Sequence, residues 1–216
     1  MNKIHVDCVL DAKANLGEGP IWSIKDQNLY WVDINNCHLC KFNPVNGENI
    51  TINVGKPIGC FAIKKNLNII LALTNGFFEL NQNDKSMNFI NNPETNILDN
   101  RFNDGTVDSK GRFYAGTMPI SGSNINSKPK GSLYCLDRSG KVKKTMEGFY
   151  TINGLAFSPD GKTAYISDSA PWIRTIWAYD YNLDDGNWSN KRIFFDTTDI
   201  AGRPDGGCID ADGCYW

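Results

Sequence analysis

A motif that recurs five times along the chain restricts the possible folds more than any other feature of the sequence. Each copy contains a glycine, an apolar segment, a turn and then a second segment that is aromatic or apolar. Equivalent positions in the second segment are separated by 40, 44, 51 and 50 residues, and they are Tyr30, Ile70, Tyr114, Tyr165 and Tyr215. A period of about 40–50 residues with several short strands per copy is typical of a β-propeller, in which each copy forms one blade.

The sequence between these positions also indicates an all-β fold. Short apolar or alternating segments are bounded by Gly, Asn, Asp and Pro, and no window shows sustained helical spacing of apolar residues. Turns such as Pro159-Asp160-Gly161 suit β-hairpins, because glycine readily adopts a positive φ. We therefore predict four-stranded antiparallel blades in a single β-propeller domain over residues 1–216.

The sequence ends at Trp216, inside the second segment of the fifth copy. At about 45 residues per blade, a chain of this length supplies fewer than five blades. A propeller must close its ring or leave a strand edge unpaired. We therefore expect the native protein to continue beyond Trp216, so that the present chain is truncated in the fifth blade.

The composition argues against several classes of partner. The net charge of −2 offers no basic excess to neutralise a nucleic acid. No segment approaches the roughly 18 apolar residues of a membrane span, and the start of the chain lacks an apolar signal-peptide segment. The 7 Cys are scattered and odd in number, so we expect reduced, mostly buried thiols in a cytoplasmic protein. The oligomeric state is left open.

Polar side chains precede the repeated glycine in four of the five copies. They are Glu18 in the first copy, Asn103 and Asp104 in the third, Asn153 in the fourth and Asp205 in the fifth. Each Asn-Gly or Asp-Gly pair taken singly is a common turn. Equivalent positions of successive blades converge on the propeller axis, however, so these side chains are expected to meet in the central channel.

Oxygen ligands of this kind predict one divalent metal ion. Hard cations prefer carboxylate and amide oxygens, and Ca²⁺ tolerates the irregular geometry that separate loops provide. Ca²⁺ is therefore our first expectation. Zn²⁺, Mg²⁺, Mn²⁺ and Fe²⁺ are left open, because a few oxygen ligands discriminate poorly among divalent ions.

Four longer segments carry a family resemblance. They are LGEGPIW (16–22), RFNDGTVDSKGRFYAGTM (101–118), INGLAFSPDGKTAYISDS (152–169) and RPDGGCIDADGCYW (203–216). In order and spacing they resemble the SMP-30/gluconolactonase/luciferin-regenerating-enzyme (regucalcin-like) family. Members of that family are six-bladed β-propellers, so the resemblance implies a six-bladed fold whose last part lies beyond Trp216.

The resemblance implies a metal-dependent lactonase that opens sugar lactones with metal-activated water. Carried over by motif, the metal ligands would be Glu18, Asn153 and Asp205. Asp205 would also act as the catalytic general base. Arg101 and Asn103 would contact the substrate, a small-molecule sugar lactone.

The sequence departs from the family pattern after the Gly-Thr-Met segment. Many members carry a glutamate there that helps to bind substrate, whereas Met118 is followed here by Pro119, Ile120 and Ser121. The preferred lactone is therefore left open. Two other functions also stay open: a phosphotriesterase-like hydrolase of the same fold, and a non-catalytic calcium-binding or regulatory propeller.

Overall fold

The computed structural model describes residues 5–216, so the first four residues of the predicted domain lie outside it. The described residues form sixteen strands, arranged in four antiparallel sheets of four strands each, and they contain no helix. The chain divides into two compact units, one ending at Pro57 and one running from Ile58 to Trp216.

The first unit contains one sheet. Its strands are β1 (Gly17–Ser23), β2 (Asn28–Asp33), β3 (His38–Phe42) and β4 (Asn49–Asn53). The carboxylate of Asp33, at the end of β2, accepts backbone hydrogen bonds from Asn15 and Leu16 at 3.0 and 3.1 Å. Burial alone would raise the pKa of Asp33, but these bonds bring it below the usual value. Asp33 therefore fixes the backbone that enters β1.

The second unit contains three sheets. The first consists of β5 (Ile58–Ile63), β6 (Ile69–Leu73), β7 (Gly76–Leu80) and β8 (Met87–Asn91). The next consists of β9 (Asn100–Val107), β10 (Phe113–Pro119), β11 (Gly131–Leu136) and β12 (Val142–Phe149). The last consists of β13 (Ile152–Phe157), β14 (Thr163–Asp168), β15 (Thr175–Asn182) and β16 (Asn187–Asp196).

The three sheets of the second unit pack through their faces and bring their first strands together. Each sheet keeps its strands in sequence order, and β9 contacts both β5 and β13. Phe77, Phe102 and Tyr134 belong to one apolar core, while Tyr114 and Ile152 belong to another. Burial of these large side chains between adjacent sheets supplies the main driving force for packing one blade on the next.

The all-β class and the four-stranded antiparallel blades are confirmed. Tyr30, Ile70, Tyr114 and Tyr165 lie in β2, β6, β10 and β14, the second strand of each sheet. In the fifth copy Tyr215 forms a single bridge with Ile209. The single domain over residues 1–216 and the continuation of the native chain stay predictions.

The prediction about cysteine burial is wrong in part. All seven cysteines are free thiols, but only Cys40, Cys60 and Cys135 are buried. Cys208 and Cys214 are exposed because they lie in the last segment, outside the sheets. Within residues 5–216 there is no helix long and apolar enough to cross a membrane.

Each of the four first strands contains one extra residue relative to its partner strand. The register shifts at Glu18/Ile21 in β1, at Ile58/Cys60 in β5, opposite Ala115/Thr117 in β9 and at Asn153/Ala156 in β13. Such β-bulges bend a strand and redirect its side chains. The polar residues selected from the first, third and fourth copies therefore lie where the ladder is interrupted, whereas Asp205 of the fifth copy lies outside the sheets.

Gly59 shows why a glycine is required at the bulge even without a polar neighbour. A Cβ on Gly59 would overlap the backbone carbonyl of Phe102 and lie 2.6 Å from the backbone nitrogen of Asn103. The missing side chain lets β5 and β9 approach closely. The glycines of the repeat thus serve packing between blades as well as turns.

Asp168 has the same role in the last sheet as Asp33 has in the first. Its buried carboxylate accepts backbone hydrogen bonds from Tyr150, Thr151 and Ala170 at 2.7, 3.0 and 3.0 Å. Burial raises the pKa of Asp168, and the three backbone N–H groups oppose that rise. The residue fixes the entry to β13 and the exit from β14.

We predict that Asp168→Asn lowers the free energy of unfolding by about 2–3 kcal/mol. The backbone N–H groups lose a charged acceptor, and the new amide NH₂ group, itself a donor, faces one or more of them. Urea denaturation monitored by tryptophan fluorescence measures the change. Asp199→Asn is the matched control, since Asp199 is exposed. Equal stability of the two variants would contradict the structural role of Asp168.

Candidate functional site

A cavity of about 520 Å³ lies in the second unit, where β9 and β13 meet. Its lining includes Asn103, Asn153, Ser169, Trp172, Arg203 and Asp205. The two asparagines come from the bulged parts of β9 and β13, whereas the other four come from loops that follow β14 and β16. Three of the residues predicted from the repeat therefore share one cavity.

A chain of four hydrogen bonds connects these elements. Arg101 Nη1 donates to Asn103 Oδ1 at 3.0 Å, and Asn103 Nδ2 donates to Asn153 Oδ1 at 3.1 Å. Asn153 Nδ2 then donates to Ser169 Oγ at 2.7 Å. The Ser169 hydroxyl in turn donates to the carbonyl oxygen of Pro204 at 2.5 Å.

The two ends of this chain fix its direction. A guanidinium can only donate hydrogen bonds, and the carbonyl of Pro204 can only accept them. Each amide between them must therefore turn its NH₂ group toward Ser169 and its oxygen toward Arg101. Within the chain each amide oxygen accepts one hydrogen bond, and a carbonyl oxygen has two lone pairs. The amide oxygens of Asn103 and Asn153 thus keep capacity for a further partner.

The loop that carries Asp205 is held in place by backbone carbonyl contacts. Arg174 Nη2 donates to the carbonyl oxygens of Thr197 at 2.6 Å and Gly202 at 2.5 Å. The Ser169–Pro204 bond holds the residue directly before Asp205. Asp205 itself is exposed to the cavity, and its carboxylate has no hydrogen bond or ion pair among the described residues.

Gly154 joins the last segment of the chain to β13. Its φ is +61°, and a Cβ there would overlap the Tyr215 hydroxyl and lie 2.9 Å from Ser167 Oγ. Tyr215 donates a 2.9 Å hydrogen bond to the carbonyl oxygen of Gly154. Burial raises the pKa of Tyr215, which keeps the hydroxyl protonated as a donor. The absence of a side chain at Gly154 therefore lets the Tyr215 hydroxyl approach the backbone of β13 closely.

The donor set of the cavity suits a hard divalent cation. It offers the carboxylate of Asp205 and the amide oxygens of Asn103 and Asn153, the ligand types that Ca²⁺ accepts. No group of three or more His, Cys, Asp or Glu side chains could hold a metal in the part of the chain that the structure describes. A metal site here must therefore use amide oxygens.

Two predicted site residues lie outside the cavity lining. Glu18 is half-buried in the bulge of β1, in the first unit. Arg101 is half-buried on β9 and donates from Nη1 to the carbonyl oxygen of Phe102 at 2.8 Å as well as to Asn103. The metal-ligand role of Glu18 and the substrate contact of Arg101 both stay predictions.

Asp104 is a connecting residue between two blades. Its Oδ2 accepts a hydrogen bond from the backbone nitrogen of Leu155 at 3.1 Å, and its Oδ1 accepts one from Gly105 at 2.8 Å. The carboxylate thus links β9 to β13, where the ladder bonds are interrupted. Asn103, its neighbour, is the residue of the pair that lines the cavity.

Sequence reasoning missed several residues of the cavity, among them Ser169, Trp172 and Arg203. Ser169 directly follows β14, and an antiparallel strand ends beside the start of its partner, so counting from Asn153 could have found it. Trp172 lies in a loop that no periodicity describes. Arg203 lies in an irregular segment as well, and its Nη1 donates to the Ser169 carbonyl at 3.3 Å at the cavity wall.

Comparison with known proteins gives consistent matches over more than nine-tenths of the chain. Residues 16–216 match the model of the family described as SMP-30/Gluconolactonase/LRE-like region. Regucalcin from Xenopus laevis is 36% identical over 217 residues, which cover 100% of this chain and 72% of that protein. A 6-deoxy-6-sulfogluconolactonase from Pseudomonas putida is 34% identical over 211 residues, which cover 97% and 70%.

Solved structures agree with the sequence matches. The crystal structure of a calcium-binding protein, regucalcin, from Agrobacterium tumefaciens superposes with a TM-score of 0.86 at 25% identity and covers 94% of this chain and 67% of that one. The shared fold, the length of the match and its identity confirm the resemblance identified in the motifs. The chain belongs to the SMP-30/gluconolactonase/LRE-like family.

Proposed function

We propose that the protein hydrolyses sugar lactones with one bound divalent cation, Ca²⁺ first, and that Glu18, Asn153 and Asp205 are its ligands. The observation that carries the proposal is the oriented oxygen of Asn153 in a cavity that also contains the Asp205 carboxylate, which has no partner among residues 5–216. The lactonase name of the Pseudomonas putida relative supports the substrate class. The calcium-binding protein from Agrobacterium tumefaciens supports the choice of ion. Seven free thiols support a cytoplasmic location.

Lactone hydrolysis in this cavity requires polarisation of the carbonyl and transfer of a proton from water. A bound divalent cation supplies positive charge that polarises the lactone carbonyl. Asp205 accepts a proton from water as the water oxygen bonds to the carbonyl carbon. The bond between that carbon and the ring oxygen then breaks, and the ring oxygen takes the proton from Asp205. The product is the open-chain hydroxy acid.

Asn103 contributes to orientation through its oxygen. Its NH₂ group donates to Asn153 Oδ1 and to the carbonyl oxygen of Ile152 at 3.0 Å. Its Oδ1 accepts from Arg101 and keeps a second lone pair for a sugar hydroxyl. Arg101 therefore positions Asn103 and adds positive charge near the start of β9, where substrate contact is proposed.

We predict that Asp205→Asn lowers kcat/KM for glucono-lactone by at least about 100-fold, the usual size of a lost general base. The measurement is a pH-stat assay at constant pH, with the protein first treated with chelator and then resupplied with Ca²⁺. Wild-type activity disappears with chelator and returns with Ca²⁺. Asp212→Asn, an exposed acid in the following turn, is the control and retains activity.

The same assay separates the competing functions. Full activity of Asp205→Asn, or activity that withstands chelation, would be incompatible with the proposed chemistry. Hydrolysis of phosphotriesters but not of lactones would identify the phosphotriesterase-like alternative. Tight Ca²⁺ binding without hydrolysis of either substrate would identify the non-catalytic calcium-binding alternative.

We predict that Ser169→Ala weakens Ca²⁺ binding by about 10-fold or more, because the amide of Asn153 loses the partner that fixes its orientation. Isothermal titration calorimetry of chelator-treated protein gives the affinity. Ser189→Ala on the exposed strand β16 is the matched control. If both variants bind Ca²⁺ as tightly as the wild type, the hydrogen-bond chain has no role in presenting the Asn153 oxygen.

A further inference from the structure

The proposed reaction gives a role to Asp205 but none to the positively charged side chain of Arg203 in the same cavity. Arg203 and Asp205 are the only charged residues in the described lining. The guanidinium of Arg203 is exposed, and its hydrogen bond to the Ser169 carbonyl is long, at 3.3 Å. In the described part of the chain no carboxylate pairs with it. A positive charge on the cavity wall is therefore available to a ligand.

Two further donors in the same cavity lack partners. Ser123 Oγ and Trp172 Nε1 are buried polar atoms without a hydrogen bond among the described residues, and both residues line the cavity. The indole N–H can only donate. The Trp172 ring packs edge-on against Tyr150, with centroids 5.0 Å apart and an interplanar angle of 85°, which restricts its orientation. Both donors thus stay without a described partner at the cavity wall, where a buried polar atom is expected to have one.

Negatively charged acceptors are scarce in this cavity, although the amide oxygens of Asn103 and Asn153 are also present. The loop between β10 and β11 has no acid after Met118, and Ser123 of that loop lines the cavity instead. Asp205 is the single carboxylate in the described lining. A neutral polyol needs protein acceptors for its hydroxyl groups, whereas an anionic group needs donors and positive charge. The combination of guanidinium, indole and hydroxyl donors corresponds to the second requirement.

We propose that this cavity selects sugar lactones that carry an anionic substituent, with Arg203, Trp172 and Ser123 as the residues that recognise it. The inference rests on the proposed lactonase function and adds the substrate class. A volume of about 520 Å³ suits a small ligand of this kind. A carboxylate, sulfate or phosphate group presents the same acceptor oxygens, so the shared feature is the negative charge.

The test compares glucono-lactone with its 6-O-sulfate, because a sulfate ester is anionic but chelates Ca²⁺ weakly. The Ca²⁺-loaded full chain is expected to show kcat/KM at least about 10-fold higher for the sulfated lactone, mainly through a lower KM, since the added contacts are made in the ground state and the transition state alike. Raising the salt concentration reduces the difference because it screens the exposed charge. Equal or lower kcat/KM for the sulfated lactone would overturn the proposal.

Variants assign the preference to named residues. Arg203→Gln is expected to lower kcat/KM for the sulfated lactone at least about 10-fold more than kcat/KM for glucono-lactone, so that most of the preference is lost, whereas Arg203→Lys retains part of the preference. Trp172→Phe keeps an aromatic ring but loses the N–H donor, so it raises KM for the sulfated lactone selectively. Arg192→Gln, which removes an exposed charge paired with Asp180 outside the cavity, is the matched control. Equal losses on both lactones in Arg203→Gln would contradict anion recognition.

A binding measurement keeps this inference separate from the lactonase proposal. Calorimetry compares gluconate with gluconate 6-sulfate, the two ring-opened acids, on the Ca²⁺-loaded protein. Tighter binding of the sulfated acid, lost in Arg203→Gln, supports the anion site even if neither lactone is hydrolysed. If both lactones are hydrolysed but gluconate and gluconate 6-sulfate bind equally well, the anion site is contradicted and the lactonase function is not.

Discussion

The candidate site depends on one directional chain of hydrogen bonds that runs from the guanidinium of Arg101 to the carbonyl of Pro204. One end can only donate and the other can only accept, so the amides of Asn103 and Asn153 have a single consistent orientation. The chain also crosses from β9 to β13 and on to the loop that carries Asp205. One interaction therefore couples blade packing, the direction of a potential metal ligand and the position of the proposed base.

The blade architecture explains why such a chain can form. The β-bulge of each first strand interrupts the ladder and redirects the side chains beside it, and in β9 and β13 this lets polar side chains bond across blades. Carboxylates at the strand ends accept hydrogen bonds from backbone N–H groups instead. Asp33 and Asp168 bind the segments that enter β1 and β13, and Asp104 binds the backbone of β13. Rigid backbone around the cavity is the condition for a fixed set of oxygen ligands.

Much of the fold and part of the site follow from the sequence, because both depend on periodicity. The repeat placed Tyr30, Tyr114 and Tyr165 in the second strand of successive sheets, and the same phase brought Asn103 and Asn153 to one cavity. Side chains on irregular loops, such as Trp172 and Arg203, have no period to reveal them. The sequence also could not separate the structural role of Asp104 from the cavity position of Asn103, because the bulge decides which neighbour turns inward.

The central claim is that Asn153 and Asp205 present their oxygens to one divalent cation. The most direct measurement is a crystal structure of the protein soaked in Ca²⁺, with the ion located by its anomalous scattering. The account predicts a peak about 2.4 Å from Asn153 Oδ1 and from a carboxylate oxygen of Asp205, the usual Ca²⁺–oxygen distance. A peak elsewhere in the molecule, or no peak at saturating Ca²⁺ with both side chains ordered, would contradict it.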